Sequence, residues 1–307
     1  MKRHVWIESV ALLRFATVVV FLVAPEVHAQ FLGHNLPGDF GLVSGSQAPP
    51  GRYAGIMVPY YRSDTIRLED DRSIEGRPGS EIELFSLAPL VTFVTDFQLF
   101  GGNYGAVVVP SFTNTSLEIP RFDVDQDQFG FGDLYVVPFQ LGWHWERTDV
   151  IASYGFFAPT GSYDAGADDN IGLGMWSHEL AAGFTQYLDA AKTWHVATTA
   201  FYEVHTKKRD TDIRIGDLLF LEGGIGKNFG FASGSSLGAA YYAAWQTTDA
   251  SGEDIPVLLR GRRIRGFGLG PEVQLLQGTI VVRALWEFGV RNNLEGFILV
   301  WSLALPF

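Results

Sequence analysis

Gly296-Phe297-Ile298-Leu299-Val300-Trp301-Ser302-Leu303-Ala304-Leu305-Pro306-Phe307 closes the chain. Taken by twos, Phe297, Leu299, Trp301, Leu303, Leu305 and Phe307 form an uninterrupted row of bulky apolar side chains. The intervening Ile298, Val300, Ser302, Ala304 and Pro306 are smaller and mixed. A period of two is that of a strand, here with one face suited to hydrocarbon. On a soluble sheet, an uncharged terminal strand of this kind is an open edge that invites aggregation. A barrel closed within a bilayer pairs every strand and turns the apolar row toward acyl chains. The competing reading is a core strand of a soluble sandwich, and the rest of the chain argues against it.

The other end speaks to compartment. Lys2, Arg3 and Arg14 are basic, Phe15 to Ala24 is an apolar run, and Val27-His28-Ala29 before Gln30 fits a small-x-small cleavage site. Residues 1–29 are therefore expected to be an export signal. The run is half the ~20 residues that a spanning helix needs. With 47% hydrophobic residues, 14% aromatic, 35 Gly and only 18% charged, the chain is too apolar and Gly-rich for an average secreted enzyme. It has no cysteine, which removes disulfides and thiolate metal sites. Three basic and two acidic residues fall within 1–29, so residues 30–307 carry a net charge of −13. That balance disfavours nucleic acid as a partner, because phosphate binding needs a basic surface.

Upstream of the last strand, hydrophobic segments of about ten residues alternate with hydrophilic connections. Over 279–288, Ile280, Val282, Ala284, Trp286 and Phe288 share one face, with Arg283 and Glu287 on the other. Over 265–276, Phe267, Leu269, Val273 and Leu275 point outward, and Gly266, Gly268, Gly270, Glu272 and Gln274 inward. Further strands are expected near 235–246, 217–228, 194–206, 174–188, 148–158, 131–145, 104–113, 81–95 and 52–63. The expectation is an all-β, up-and-down antiparallel transmembrane barrel of about twelve strands over 52–307. Residues 30–51 form an irregular segment, either periplasmic or plugging the lumen. Long loops near 64–80, 114–130, 159–173, 207–216, 247–263 and 289–295 alternate with short turns, as in outer-membrane barrels. Trp143, Trp145 and Trp194 fall at one end of the strands and Trp176, Trp245 and Trp286 toward the other, two levels that suit interfacial girdles.

Several phrases carry a family resemblance. Gly130-Phe131-Gly132-Asp133-Leu134-Tyr135-Val136-Val137-Pro138, followed by Leu141-Gly142-Trp143-His144, resembles the core signature of the meta-pathway phenol-degradation family of outer-membrane proteins. Pro159-Thr160-Gly161-Ser162-Tyr163-Asp164 resembles its next block, with Asn170, Gly172, Gly174 and Trp176 following. Gln246-Thr247-Thr248-Asp249, Ser251-Gly252, Gly268-Leu269-Gly270-Pro271 and Gly296-Phe297 add to it, and the resemblance spans about residues 34 to 307. It implies a barrel that passes hydrophobic or aromatic compounds across the bacterial outer membrane. Where the family is matched, 239–245 reads Ala-Ala-Tyr-Tyr-Ala-Ala-Trp, smaller than expected there.

Motifs for chemistry are sparse. Gly224-x-Gly226-Lys227-Asn228 lacks the Ser/Thr and upstream Gly of a phosphate loop, and strand glycines of a narrow barrel explain it better. Asp123, Asp125 and Asp127 begin like a calcium loop, but Gln128 and Leu134 stand where Gly and Glu are needed. His144, His178, His195 and His205 show no zinc-type spacing, so neither a metal nor a cofactor is expected. A hydrolase built on Ser177 with His195 or His205 is the minor alternative, although Ser177 and His178 must face opposite sides of a strand. The lumen-facing candidates are His195, Glu203, His205, Glu222, Glu272, Gln274, Arg283 and Glu287, with Arg283 expected to pair with Glu272 or Glu287. The leading expectation is a monomeric channel for passive uptake of small hydrophobic or aromatic solutes. Its partners are outer-membrane lipid and lipopolysaccharide, and the assembly machinery reads the final strand and Phe307. The alternative is a closed barrel whose acidic loops interact at the surface.

Overall fold

A computed structural model describes residues 33–69, 73–75, 81–119, 124–165, 167, 170–229, 234–256 and 260–307. The expected export signal lies outside them, as do Gln30 to Leu32, Asp123, Asp168 and Asp169. One antiparallel sheet runs through β1 (Gly51–Arg67), β2 (Ser73–Glu75), β3 (Glu81–Leu99), β4 (Gly102–Val109), β5 (Phe112–Ile119), β6 (Val124–Phe131), β7 (Leu134–His144) and β8 (Thr148–Ala158). It continues through β9 (Ser177–Tyr187), β10 (Trp194–His205), β11 (Leu218–Phe229), β12 (Ser235–Gln246), β13 (Arg265–Leu275), β14 (Ile280–Arg291) and β15 (Asn293–Pro306).

Twelve of these close a barrel. β15 pairs with β1 from Tyr53↔Pro306 to Arg67↔Asn293, and β1 pairs in turn with β3, so β1, β3, β4 and β7 to β15 form a complete ring. Closure leaves no barrel strand with a free edge. The outer face carries Leu180, Ile225, Leu237, Leu269, Trp286, Phe288 and Leu305 exposed. In water, each such side chain forgoes about 1.5–3 kcal/mol of burial, whereas acyl chains accept it. On the inner face, Phe201, Leu218, Phe220, Tyr242, Leu285, Ile298 and Val300 form a buried cluster. The small mixed row of the last strand therefore looks inward, and the bulky row outward.

Three expected loops are shorter than the sequence suggested. Residues 114–130 are largely strand, because β5 and β6 pair with each other from Phe112↔Phe131 to Ile119↔Val124. Thr113, Asn114, Thr115, Ser116, Asp125 and Asp127 make this hairpin polar on both faces. It extends the wall along the start of β3, from Glu81↔Glu118 to Leu87↔Phe112. The break between β4 and β5 falls at Pro110, which lacks an N–H to donate. Within 64–80, β1 continues to Arg67 and pairs with the short β2. Finally, 289–295 is a tight connection: Gly289 and Asn292 take left-handed backbone (φ 60° and 53°), and the Asn292 side chain caps Arg263 O at 3.0 Å.

Candidate functional site: the occupied lumen

Residues 33–50 contain no strand, yet their backbone polar groups lie inside the barrel and must find partners there. The wall supplies them. His34 N and Asn35 N donate to the two Glu203 carboxylate oxygens at 2.8 and 3.2 Å. Phe40 N donates to Glu222 Oε2 at 2.8 Å, and Leu42 N to both Glu272 oxygens at 3.3 Å. The Arg283 guanidinium donates to Gly38 O and, through Nε, to Glu272 Oε2 at 2.6 Å. Lower down, Ser46 Oγ reaches Asp149 Oδ2 at 2.7 Å and Gln47 Nε2 reaches Gln140 Oε1 at 3.1 Å. The segment thus descends from the long-loop ends of β9 and β10 to the short-turn ends of β7 and β8.

Space for it comes from small inward residues. Ala181, Ala197 and Ala240 are buried on the inner wall, and Gly224, Gly226 and Gly238 sit beside them. A Cβ on any of those three glycines would lie 2.6–2.9 Å from the Leu42 methyl groups, so they form its seat. The glycines that superficially suggested a phosphate loop are the floor of a side-chain pocket.

All eight lumen candidates point inward. His195, Glu203, Glu222 and Glu272 have no exposed surface, and His205, Gln274 and Arg283 are buried. Glu287 accepts from Tyr61 Oη at 3.0 Å, Tyr242 Oη and Gly296 N at 2.7 Å. Of the two partners expected for Arg283, Glu272 is the one it meets. His195 lies far down β10 and has no hydrogen-bond partner on either ring nitrogen among the described residues. It does not approach Ser177, which lies instead beside His205 at the other end of the same ladder.

The densest polar cluster gathers at that long-loop end, and its centre is Asp133 of the Gly-Phe-Gly-Asp motif. Asp133 Oδ1 accepts from Gly161 N at 2.9 Å, and Oδ2 accepts from Leu173 N at 2.8 Å and His34 Nε2 at 2.7 Å. One carboxylate therefore joins both motif blocks to the internal segment. Gly161 and Gly172 pass backbone to backbone, where a Cβ on Gly161 would lie 2.7 Å from Gly172 Cα. Gly174 adopts φ 67° against the Tyr163 ring. The motif glycines thus permit the close approach that brings two N–H groups onto Asp133.

One arrangement of protons in this cluster follows when His34 is neutral. With His34 Nε2 donating to Asp133, the neutral imidazole holds its Nδ1 lone pair toward Ser177 Oγ, 2.7 Å away, whereas the protonated ring donates from both nitrogens. The Ser177 hydroxyl donates to it and accepts in turn from His205 Nδ1 at 2.8 Å. Glu203 Oε1 lies 3.6 Å from His34 Nδ1 and 3.5 Å from His205 Nδ1. Asn35 Nδ2 and Tyr135 Oη both donate to Glu179, at 3.0 and 2.6 Å. The His34 ring stacks on Phe157 and Phe157 on Tyr135, with centroids 4.7 and 4.3 Å apart. Sequence reasoning missed His34, Asp133, Glu179 and Tyr135 as site residues. The aspartate of a Gly-rich motif was the signal that could have found one of them.

His178, as expected from alternation, faces the opposite side and bonds Tyr154 Oη at 2.8 Å. Above the cluster, Lys208 in the β10–β11 connection is 2% exposed and donates to Leu173 O at 3.0 Å. Burial pushes its pKa down to about 8, against the opposing pull of Asp133. Arg209 adds a bond to Tyr163 O at 2.6 Å, which laces this connection to the 159–176 loop. Among the tryptophans, Trp145, Trp176, Trp194 and Trp286 are exposed, and Trp143 and Trp245 half-buried. Trp286 pairs with Leu269 and Phe297 nearer mid-height than Trp176 or Trp245, because β14 runs on to Arg291.

A family model described as "Putative MetA-pathway of phenol degradation" matches residues 61–303. Curated protein sequences gave no match. Among solved structures, the COG4313 outer membrane channel from Pseudomonas putida F1 is similar with a TM-score of 0.69 and 16% identity, over 89% of this chain and 100% of that one. This likeness is one of fold. The Pseudomonas putida toluene transporter TodX aligns over 92% of this chain and 98% of its own at 13% identity, with a TM-score of 0.41, too low to carry an argument.

Proposed function

Because the chain belongs to the family that this model describes, we propose that it is an outer-membrane channel for passive uptake of small hydrophobic or aromatic compounds, gated by its own N-terminal segment. The observation that carries the reading is how the lumen is filled. Inward alanines and glycines leave the wall unable to pack the interior alone, and residues 33–50 fill it through hydrogen bonds that can open. The chain is then organised as an export signal over 1–29, an internal gate over 30–51 and a barrel over 52–307. Glu203, Glu222, Glu272 and Arg283 serve two states, holding the segment when it is in place and lining the passage when it leaves, and His195, His205, Gln274 and Glu287 line the same passage. Trp143, Trp145 and Trp194 at the short-turn ends and Trp176 and Trp245 at the long-loop ends lie at the two lipid interfaces, with lipopolysaccharide outside and Trp286 between them. A monomer is the working form in this reading, and it is supported by the ring closing within one chain.

Two other readings have specific support. A permanently closed barrel is favoured by the number of bonds to the segment. A hydrolase is favoured by the order Ser177–His34–Asp133, which places hydroxyl, imidazole and carboxylate in the sequence of a nucleophilic triad. Against the second, Ser177 has no exposed surface and its oxygen is shared with His205. Uptake of phenol and of an aliphatic control of equal size into liposomes separates all three. The channel reading expects faster phenol entry than in protein-free liposomes. Entry at the protein-free rate would overturn it in favour of the closed barrel, and ester cleavage lost in Ser177→Ala would favour the enzyme.

A further inference from the structure

His34, Glu203 and His205 come together from the internal segment and from β10, with one ligand atom of each within 4.8 Å of the others. We propose that these three side chains form a binding site for a divalent transition metal of the zinc class, which staples the N-terminal segment to the barrel wall. The site does not depend on which solute the barrel carries, or on whether it carries one.

Three features of the geometry point to a metal. First, the spacings about Glu203 fit. An ion with bonds of about 2.0–2.1 Å and tetrahedral geometry sets its ligands about 3.3–3.4 Å apart. Glu203 Oε1 stands 3.6 Å from His34 Nδ1 and 3.5 Å from His205 Nδ1. Second, His34 already presents the correct nitrogen. Its Nε2–H is committed to Asp133, so the neutral imidazole, the form a metal binds, aims its Nδ1 lone pair into the cluster, the carboxylate–imidazole arrangement that orients metal-binding histidines. Third, the hydroxyl now between the imidazoles occupies the place an ion would take. Ser177 Oγ is 2.7 Å from one Nδ1 and 2.8 Å from the other.

Binding asks little of the protein. His205 must move its proton from Nδ1 to Nε2, and Nε2 is buried with no partner among the described residues, so no existing bond is lost there. Ser177 rotates aside or becomes the fourth ligand. Charge also favours a cation, because Asp133, Glu179 and Glu203 all converge on His34 and Asn35. Two imidazoles and a carboxylate are borderline ligands, which suit zinc better than magnesium or calcium.

The test uses the untagged mature chain, inserted in detergent and stripped with chelator, with Zn2+ as the only added ligand. After gel filtration the protein should retain one zinc per chain, and X-ray absorption should report two imidazole nitrogens bound to the metal. His34→Gln lies outside every strand and leaves the wall intact, and it should lose the zinc. Glu203→Gln and His205→Gln should lose it too, and Asp133→Asn should weaken it roughly 10–100-fold. His195→Gln should bind as the parent does. Ser177→Ala distinguishes a metal site from a hydrogen-bond network, since it removes the bridging hydroxyl yet should keep the zinc. Chelator should also expose residues 33–50 to protease in the zinc-loaded parent. No retained zinc, or zinc retained equally by His34→Gln, would overturn the proposal.

Discussion

Arg283 Nε donates to Glu272 Oε2 at 2.6 Å, directly across the β13–β14 ladder, and the same carboxylate accepts Leu42 N from the segment inside the barrel. Gln274 Nε2 adds a third donor at 2.7 Å. The pair is therefore part of the wall and part of the plug's mooring at once.

Removing one member should cost more than removing both. Glu272→Gln removes the carboxylate that is bonded to buried Arg283, a loss on the order of 3–5 kcal/mol. The double variant Glu272→Met with Arg283→Met deletes both charges and should recover much of that. Urea unfolding midpoints of the two, followed by heat-modifiable migration, check the order. Equal destabilisation would mean that the ion pair is worth no more than its separate hydrogen bonds.

The seat of Leu42 offers a way to move the segment without touching a charge. In Gly226→Leu the nearest atoms a Cβ meets belong to side chains, His195 Nε2 at 2.6 Å and a Leu42 methyl at 2.9 Å, so the new side chain takes their space while the backbone of the wall stays in place. Residues 33–50 should then become sensitive to protease, and single-channel conductance should rise above that of the parent toward that of a chain lacking 33–50. If conductance stays at the parent value while the segment is cleaved, the segment is not the gate.

The residues are legible where lipid makes demands of them. Strands β7 to β15 fall within a few residues of their expected places, because hydrocarbon on one side imposes a period of two on Phe297 to Phe307 as on Phe267 to Leu275. The β5–β6 hairpin escaped notice because polar residues from Thr113 to Ser116 and from Asp125 to Gln128 hide its period of two. Inward orientation of Glu222, Glu272 and Arg283 comes from the same period, but their partners do not. Those partners belong to an irregular segment with no periodicity, and His34 reaches Glu203 across 169 positions. Asp133 was visible as a motif residue, and its role emerged only with Gly161, Leu173 and His34 placed around it.

Lys208 gives the loops above the cluster a pH dependence. Its folded pKa, about 8, lies below the ordinary 10.5. At pH below 8 the buried amine must carry its charge, and the full penalty is present. Between pH 8 and 10.5 the unfolded state holds a proton that the folded state has shed, so stability rises with pH through that window. Protection of residues 206–217 from proteolysis should therefore increase from pH 8 to 10 in the parent and stay flat in Lys208→Met. A slope of opposite sign would show that the amine stays charged in place.

Phe307 is where the chain's end meets its own beginning. Its N–H donates to Arg52 O at 3.0 Å, extending the β1–β15 ladder that closes the ring, and its side chain is 69% exposed on the outer surface. An apolar final strand ending in an exposed aromatic residue suits recognition by an assembly machinery before the ring exists. Burial alone assigns the ring of Phe307 about 1.5–3 kcal/mol, which would lower stability and leave insertion intact. Recognition predicts something different: deletion of Phe307 should sharply reduce the heat-modifiable, membrane-inserted form in cells, and Phe307→Tyr, which keeps an aromatic ring, should insert like the parent. Refolding both variants from urea into detergent separates the two causes, since that route bypasses the machinery. The deletion should refold nearly normally in detergent while failing in cells. Normal insertion in cells would assign Phe307 to the lipid interface alone.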